Sequence, residues 1–126
     1  GNLRNPRPPE EREGVEMAQY VLVESRDPFE SRDVSYFYNV AADLAAKGDQ
    51  VTVFLVQNGA LVSRKDAKGN PLGALLKSKA QVLVDSFSLR ERGIGDAERH
   101  PSVKPADIGD LLDKIMEKKG TKVLWH

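Results

Sequence analysis

The residues best equipped for chemistry are Asp85, Ser86 and Ser88, which follow directly on the apolar run Val82-Leu83-Val84 and precede the charged segment Arg90-Glu91-Arg92. A carboxylate where a strand gives way to a helix can serve as a general base, bind a metal through oxygen, or accept the first free N–H groups of the helix. Capping is the expected role for Asp85, because Asp and Ser are favoured at that position. A nucleophilic serine would need a histidine base and an orienting acid. Only His100, in a polar loop before a proline, and His126 are available, and both are expected in solvent, so no triad is expected. Glu24, at the end of another apolar run, is a second carboxylate. Side by side, Glu24 and Asp85 could share a proton or bind Mg²⁺, although charge balance by Arg26 and Arg92 is the simpler expectation.

Other chemistries lack their residues. The 126-residue chain has no cysteine, which excludes disulfides, thiolate catalysis and cysteine-ligated metals within it. Neither G-x-G-x-x-G nor G-x-x-x-x-G-K-[ST] occurs, and Asn58-Gly59 resembles a phosphate-holding turn only loosely, so neither a nucleotide cofactor nor a resident metal is expected. The N–H groups of a helix starting near Ser86 offer an unspecific place for an anion. Nineteen basic and nineteen acidic residues balance, which removes a whole-chain electrostatic drive toward nucleic acid or an anionic membrane. The apolar runs fall far below the roughly 20 residues that span a bilayer, and without a signal-like segment the expected location is the cytoplasm.

The elements that would position these residues alternate. Residues 1–17, rich in proline and charge, are expected to be a flexible tail, and 18–126 a single domain. Tyr20–Glu24, Gln50–Val56 and Gln81–Asp85 are short apolar runs without polar alternation, as in strands covered on both faces. Between the first two, Val34, Phe37, Tyr38, Ala41, Leu44 and Ala45 recur at helical spacing, and Gly48 ends the helix. Leu61-Val62 falls on a short helix, and another starts with Asn70 as cap and Pro71 in its first turn, turning Leu72, Leu75 and Leu76 inward. Ser86–Arg92 is a short helix closed by Gly93, a brief strand is expected near Val103, and Pro105 opens an amphipathic helix carrying Ile108, Leu111, Leu112, Ile115 and Met116. Lys114, Lys118 and Lys119 complement the dipole near its end, and Thr121–His126 closes the chain as a strand. The pattern predicts a three-layer α/β/α sandwich around a mostly parallel sheet of about five strands. Such sheets gather ligands at the carboxyl ends of their strands, which assembles a candidate rim of Glu24, Ser25, Arg26, Asp27, Asn58, Gly59, Asp85, Ser86 and Arg92.

The order of these parts resembles the DsrE/DsrF-like family of small α/β proteins, which includes subunits of sulfur-relay complexes. The likeness is carried by Asp27-Pro28 after the first strand, Gly48 to Leu55, the Asn58-Gly59-Ala60 turn, Leu89 to Ile94 after the third strand, and Ala106 to Leu112. It covers roughly Tyr20 to Trp125. The resemblance implies homo- or hetero-oligomers, commonly dimers, trimers or hexamers, and in relay members a persulfide-carrying cysteine at the end of the third strand. Aligning Arg90–Ile94 with the family's Arg-Gly segment puts Asp85, or Ser86, at that place. Neither can hold a persulfide, since sulfur transfer needs a thiolate. The expected function is therefore a Cys-free, oligomeric binding or accessory protein, linked through the resemblance to sulfur metabolism, that presents its rim to a small anion or a protein partner. The alternatives are a metal-assisted or acid–base enzyme using Asp85, Glu24 and Ser86, and a scaffold subunit whose thiol sits on a partner. Leu124-Trp125 ends the last strand on a large aromatic, for which a subunit contact is expected.

Overall fold

The computed structural model describes residues 18–116 and 120–126. The tail expected at 1–17, together with Lys118, Lys119 and the side chains of Lys114 and Met116, lies outside the described residues. Five strands, β1 (Gln19–Glu24), β2 (Gln50–Leu55), β3 (Gln81–Asp85), β4 (Lys104–Ala106) and β5 (Thr121–Trp125), form one sheet in the order β4-β3-β2-β1-β5. Every pairing is parallel.

The apolar runs become central strands because both faces of the sheet are covered. On one face α1 (Asp33–Ala46), α2 (Gly73–Lys77) and a 3₁₀ helix (Gln57–Ser63) pack Val34, Tyr38, Ala41, Leu72, Leu75 and Val62 over Leu22, Val53, Leu55, Val82 and Val84. On the other, α4 (Ile108–Met116) lays Ile115, with the half-buried Ile108, Leu111 and Leu112, over Val21, Val23, Phe54 and Leu83. Alternate residues of one strand thus serve opposite layers. The three-layer α/β sandwich expected from the pattern is the observed architecture, with the sheet parallel throughout.

Several boundaries differ from the sequence reading. Pro105 does not open the last helix but lies in β4, an edge strand where its missing N–H costs no ladder bond; α4 begins at Ile108, after Asp107 Oδ1 has accepted the Asp110 N–H. Asn70 does not cap α2. It takes φ +47° in a tight turn whose carbonyl accepts the Gly73 N–H, so Pro71 and Leu72 complete the turn and the helix starts at Gly73. The strand expected near Val103 spans Lys104–Ala106, and β5 stops at Trp125.

The last two connections decide where the rim opens. Strands β1 to β4 step in one direction, and the chain then crosses under the sheet through α4 to place β5 on the far side of β1. In open α/β sheets the carboxyl ends beside such a reversal are where ligands collect.

Candidate functional site

The sheet separates the expected rim into two groups. Residues Val21 and Val23 of β1 face α4 whereas Leu22 faces α1, so Glu24, two residues on from Leu22, projects to the α1 side. In β3 Leu83 faces α4, so Asp85 projects to the α4 side. The strands that carry them are separated by β2, roughly 10 Å at the ordinary spacing between strands. Glu24 and Asp85 therefore do not form a carboxylate pair, and the proton-sharing or Mg²⁺ alternative has no geometry here. Neither is balanced as expected by Arg26 or Arg92: Arg26 contributes its main-chain N–H, and Arg92 turns elsewhere.

The α1-side group is a closed network. Glu24 is 0% exposed; its Oε2 accepts the Arg26 N–H at 3.0 Å and its Oε1 lies 2.6 Å from His126 Nδ1. His126, expected in solvent, instead keeps only 21% of its side chain exposed and stacks on Phe37 with ring centroids 5.1 Å apart. Its main-chain N–H donates to Val23, and its main-chain oxygen accepts from Ser25 Oγ at 2.9 Å. Asp27 Oδ1 accepts the Phe29 N–H, holding the loop toward α1. Tyr38, buried beneath this loop face, has a hydroxyl with no hydrogen bond among the described residues. Burial, and then the negative charges of Glu24 and Asp27, hold its proton well above the ordinary tyrosine range. These groups lock β1, β5 and α1 together.

The α4-side group surrounds a cavity of about 520 Å³, lined by Val56, Gln57, Asn58, Asp85, Phe87, Ser88, Glu91, Arg92, Ile108 and Trp125. Asp85 caps α3 (Ser86–Glu91), as expected: Oδ2 accepts the Ser88 N–H at 3.0 Å and the Ser88 hydroxyl at 2.8 Å. The same Ser88 Oγ accepts the Gln57 N–H at 2.8 Å, which ties α3 to the start of the 3₁₀ helix and supports Gln57 at φ +50°. Arg92 donates through Nε and Nη2 to Asn58 Oδ1 and through Nη1 to the Ser88 carbonyl. Ser86 points away, donating weakly to Ala106 O at 3.3 Å. Two large aromatics stand open at the cavity, Phe87 at 60% and Trp125 at 63% exposure.

Gly59 joins the halves without taking part in either. Its N–H donates to Ser25 O, and a Cβ there would lie 2.2 Å from Glu24 O, so only glycine lets the 3₁₀ helix rest on the end of β1. Of the expected rim, the structure brings Asn58, Asp85 and Arg92 to the cavity and turns Glu24, Ser25 and Asp27 to the opposite layer. Sequence reasoning ran the rim through Phe87 without giving the ring a role, and it missed Glu91 and Ile108 as lining residues and the Glu24–His126 pair. An aromatic set between two serines at the start of a short helix was the available signal for Phe87; His126 offered none, because its partner is about a hundred residues distant.

This all-parallel five-stranded α/β sandwich has the DsrE-like fold of the solved structures that it matches. The YchN protein of E. coli superposes with a TM-score of 0.75 at 18% identity, over 87% of this chain and 100% of that one. MTH1491 of Methanobacterium thermoautotrophicum gives a TM-score of 0.68 at 18% identity, over 86% of this chain and 99% of that one. BT1422 of Bacteroides thetaiotaomicron gives 0.68 at 11% identity, over 86% and 95%; both of these are described as proteins of unknown function. At such identities the likeness extends to the fold alone. No family model and no curated protein matches the sequence. No helix among the described residues is long and apolar enough to cross a membrane.

Proposed function

We propose that this chain is a Cys-free protein of the DsrE-like fold that works as an oligomeric binding or accessory protein, with no persulfide-carrier activity of its own. The supporting observation is the cavity at the carboxyl rim, where Asp85 stands at the end of β3 and is committed to capping. A carboxylate bound to two donors of its own helix is held rigidly, which suits recognition better than attack on a substrate. The thiol chemistry that the family resemblance carries has no sulfur atom here to perform it. Separation of Glu24 from Asp85 removes the geometry on which a two-carboxylate enzyme would depend.

Oligomerisation is supported by β5, an edge strand of the sheet among the described residues, where Leu124 and Trp125 are exposed on opposite faces. A second copy there would cover apolar surface and border the cavity at Trp125. Light scattering of the purified chain is expected to give a defined mass above 13.9 kDa that is lost in Leu124→Lys. A monomer at every concentration overturns the oligomer. For binding, screening fragments by ¹⁵N NMR is expected to shift Asn58, Ser88 and Arg92 together; a screen in which these amides never move counts against the cavity.

A further inference from the structure

We propose that the cavity beside Asp85 takes a small organic cation, an alkylated ammonium on an apolar body. The proposal rests on the binding reading above and names the ligand class of that site. An anion is the obvious alternative at a strand-to-helix junction, and the structure argues against it. The N–H of Ser88, one of the donors an anion would use at the start of α3, is already held by Asp85 Oδ2, a group of the same charge as such a ligand.

Charge and chemistry at the lining point the other way. Asp85 and Glu91 contribute two carboxylates against the single guanidinium of Arg92, leaving one net negative charge. Arg92 commits three of its five N–H donors to Asn58 Oδ1 and the Ser88 carbonyl, which hold it along α3 as a strut. Asp85 is only 7% exposed and uses Oδ2 for both of its bonds, and among the described residues no hydrogen bond reaches Oδ1. Oδ1 is not among the buried unpaired atoms, so it reaches solvent and leaves the carboxylate open to a cation beside it. Phe87 and Trp125, both lining the cavity and both largely exposed, supply two aromatic rings there, and the negative quadrupole of such rings attracts a weakly hydrated cation. A bare metal ion fits less well, because no cluster of three or more His, Asp or Glu side chains forms among the described residues. An alkylated ammonium combines positive charge with an apolar surface, and Val56 and Ile108 supply the matching wall.

The test uses the full chain labelled with ¹⁵N and three probes of similar size: benzyltrimethylammonium, benzenesulfonate and benzyl alcohol, at matched ionic strength. Trp125 is the only tryptophan, so its indole resonance reports the site without ambiguity. The cation is expected to shift Asn58, Ser88, Arg92 and the Trp125 indole saturably, and Glu91→Gln and Trp125→Leu are each expected to weaken it by about two- to fivefold, the scale of one partly exposed cation–aromatic or charge contact. Both positions are exposed, so neither change threatens the fold. Equal or tighter binding of the sulfonate or the alcohol at the same amides overturns the cation assignment and leaves the cavity a binding site. Absence of any shift with all three probes overturns the cation and the cavity together.

Discussion

Removal of the Glu24 carboxylate should destabilise the fold more than any surface change, although no ligand is invoked for it. The side chain is fully buried, and its two oxygens satisfy the Arg26 N–H at 3.0 Å and His126 Nδ1 at 2.6 Å. Hydrogen bonds to a charged group contribute about 1.5–3 kcal/mol each, and breaking a buried pair from one side costs about 3–5 kcal/mol. Glu24→Ala is therefore expected to cost about 3–5 kcal/mol. Glu24→Gln should cost about 1–3 kcal/mol, because its single carbonyl oxygen can serve only one of the two donors. His126→Phe keeps an aromatic ring over Phe37 while deleting the nitrogen, and so isolates the polar part of the pair. Urea unfolding followed through Trp125, the last residue of β5 and the neighbour of His126, should show a midpoint about 2 M lower for Glu24→Ala, taking an m-value of about 2 kcal/mol per M. In a double-mutant cycle Glu24→Gln and His126→Phe should couple by at least about 1 kcal/mol. Strict additivity, or a loss below about 1 kcal/mol for Glu24→Ala, would refute the claim that this pair fastens β5 to β1.

Three further outcomes follow from packing. Gly59→Ala would bring a Cβ within 2.2 Å of the Glu24 carbonyl oxygen, and calorimetry should find about 1–3 kcal/mol of destabilisation from the forced displacement. Asp85→Ala removes the cap of α3 and a bond to Ser88 Oγ and should cost about 1–2 kcal/mol in denaturant titration; Asp85→Asn, which keeps an acceptor, should recover most of it. Tyr38→Phe deletes a buried hydroxyl without a partner among the described residues and should leave stability unchanged or raise it by up to about 1 kcal/mol. The tyrosine also fixes the sign of the alkaline response. Its proton is held more tightly folded than unfolded, so above the ordinary tyrosine value of about 10 the unfolded chain binds fewer protons and stability declines as pH rises. Wild type should lose stability more steeply than Tyr38→Phe above pH ~10 in pH-resolved unfolding, and equal slopes would contradict this.

Local patterns were legible in the sequence to different depths. The apolar runs of β1, β2 and β3 have no polar alternation, and that alone implies coverage on both faces and hence a layered α/β fold. Asp85 as a cap was equally readable, because an N-cap is settled by residues within one helical turn. Pro105 misled, since a proline that starts helices well also suits an edge strand, and only the placement of β4 at the sheet margin distinguishes the two.

By itself, then, the sequence determined the alternation of strand and helix, the capping of α3 and the absence of thiol chemistry, all properties of near neighbours in the chain or of composition. The tertiary structure alone decided that Glu24 and Asp85 serve opposite layers, that His126 closes on Glu24, and that Phe87 and Trp125 frame one cavity. The physical reason is that a run of apolar residues on every position hides which face each one serves. Strand order, and with it the partners of residues some hundred positions apart, emerges only when the helices have chosen their sides.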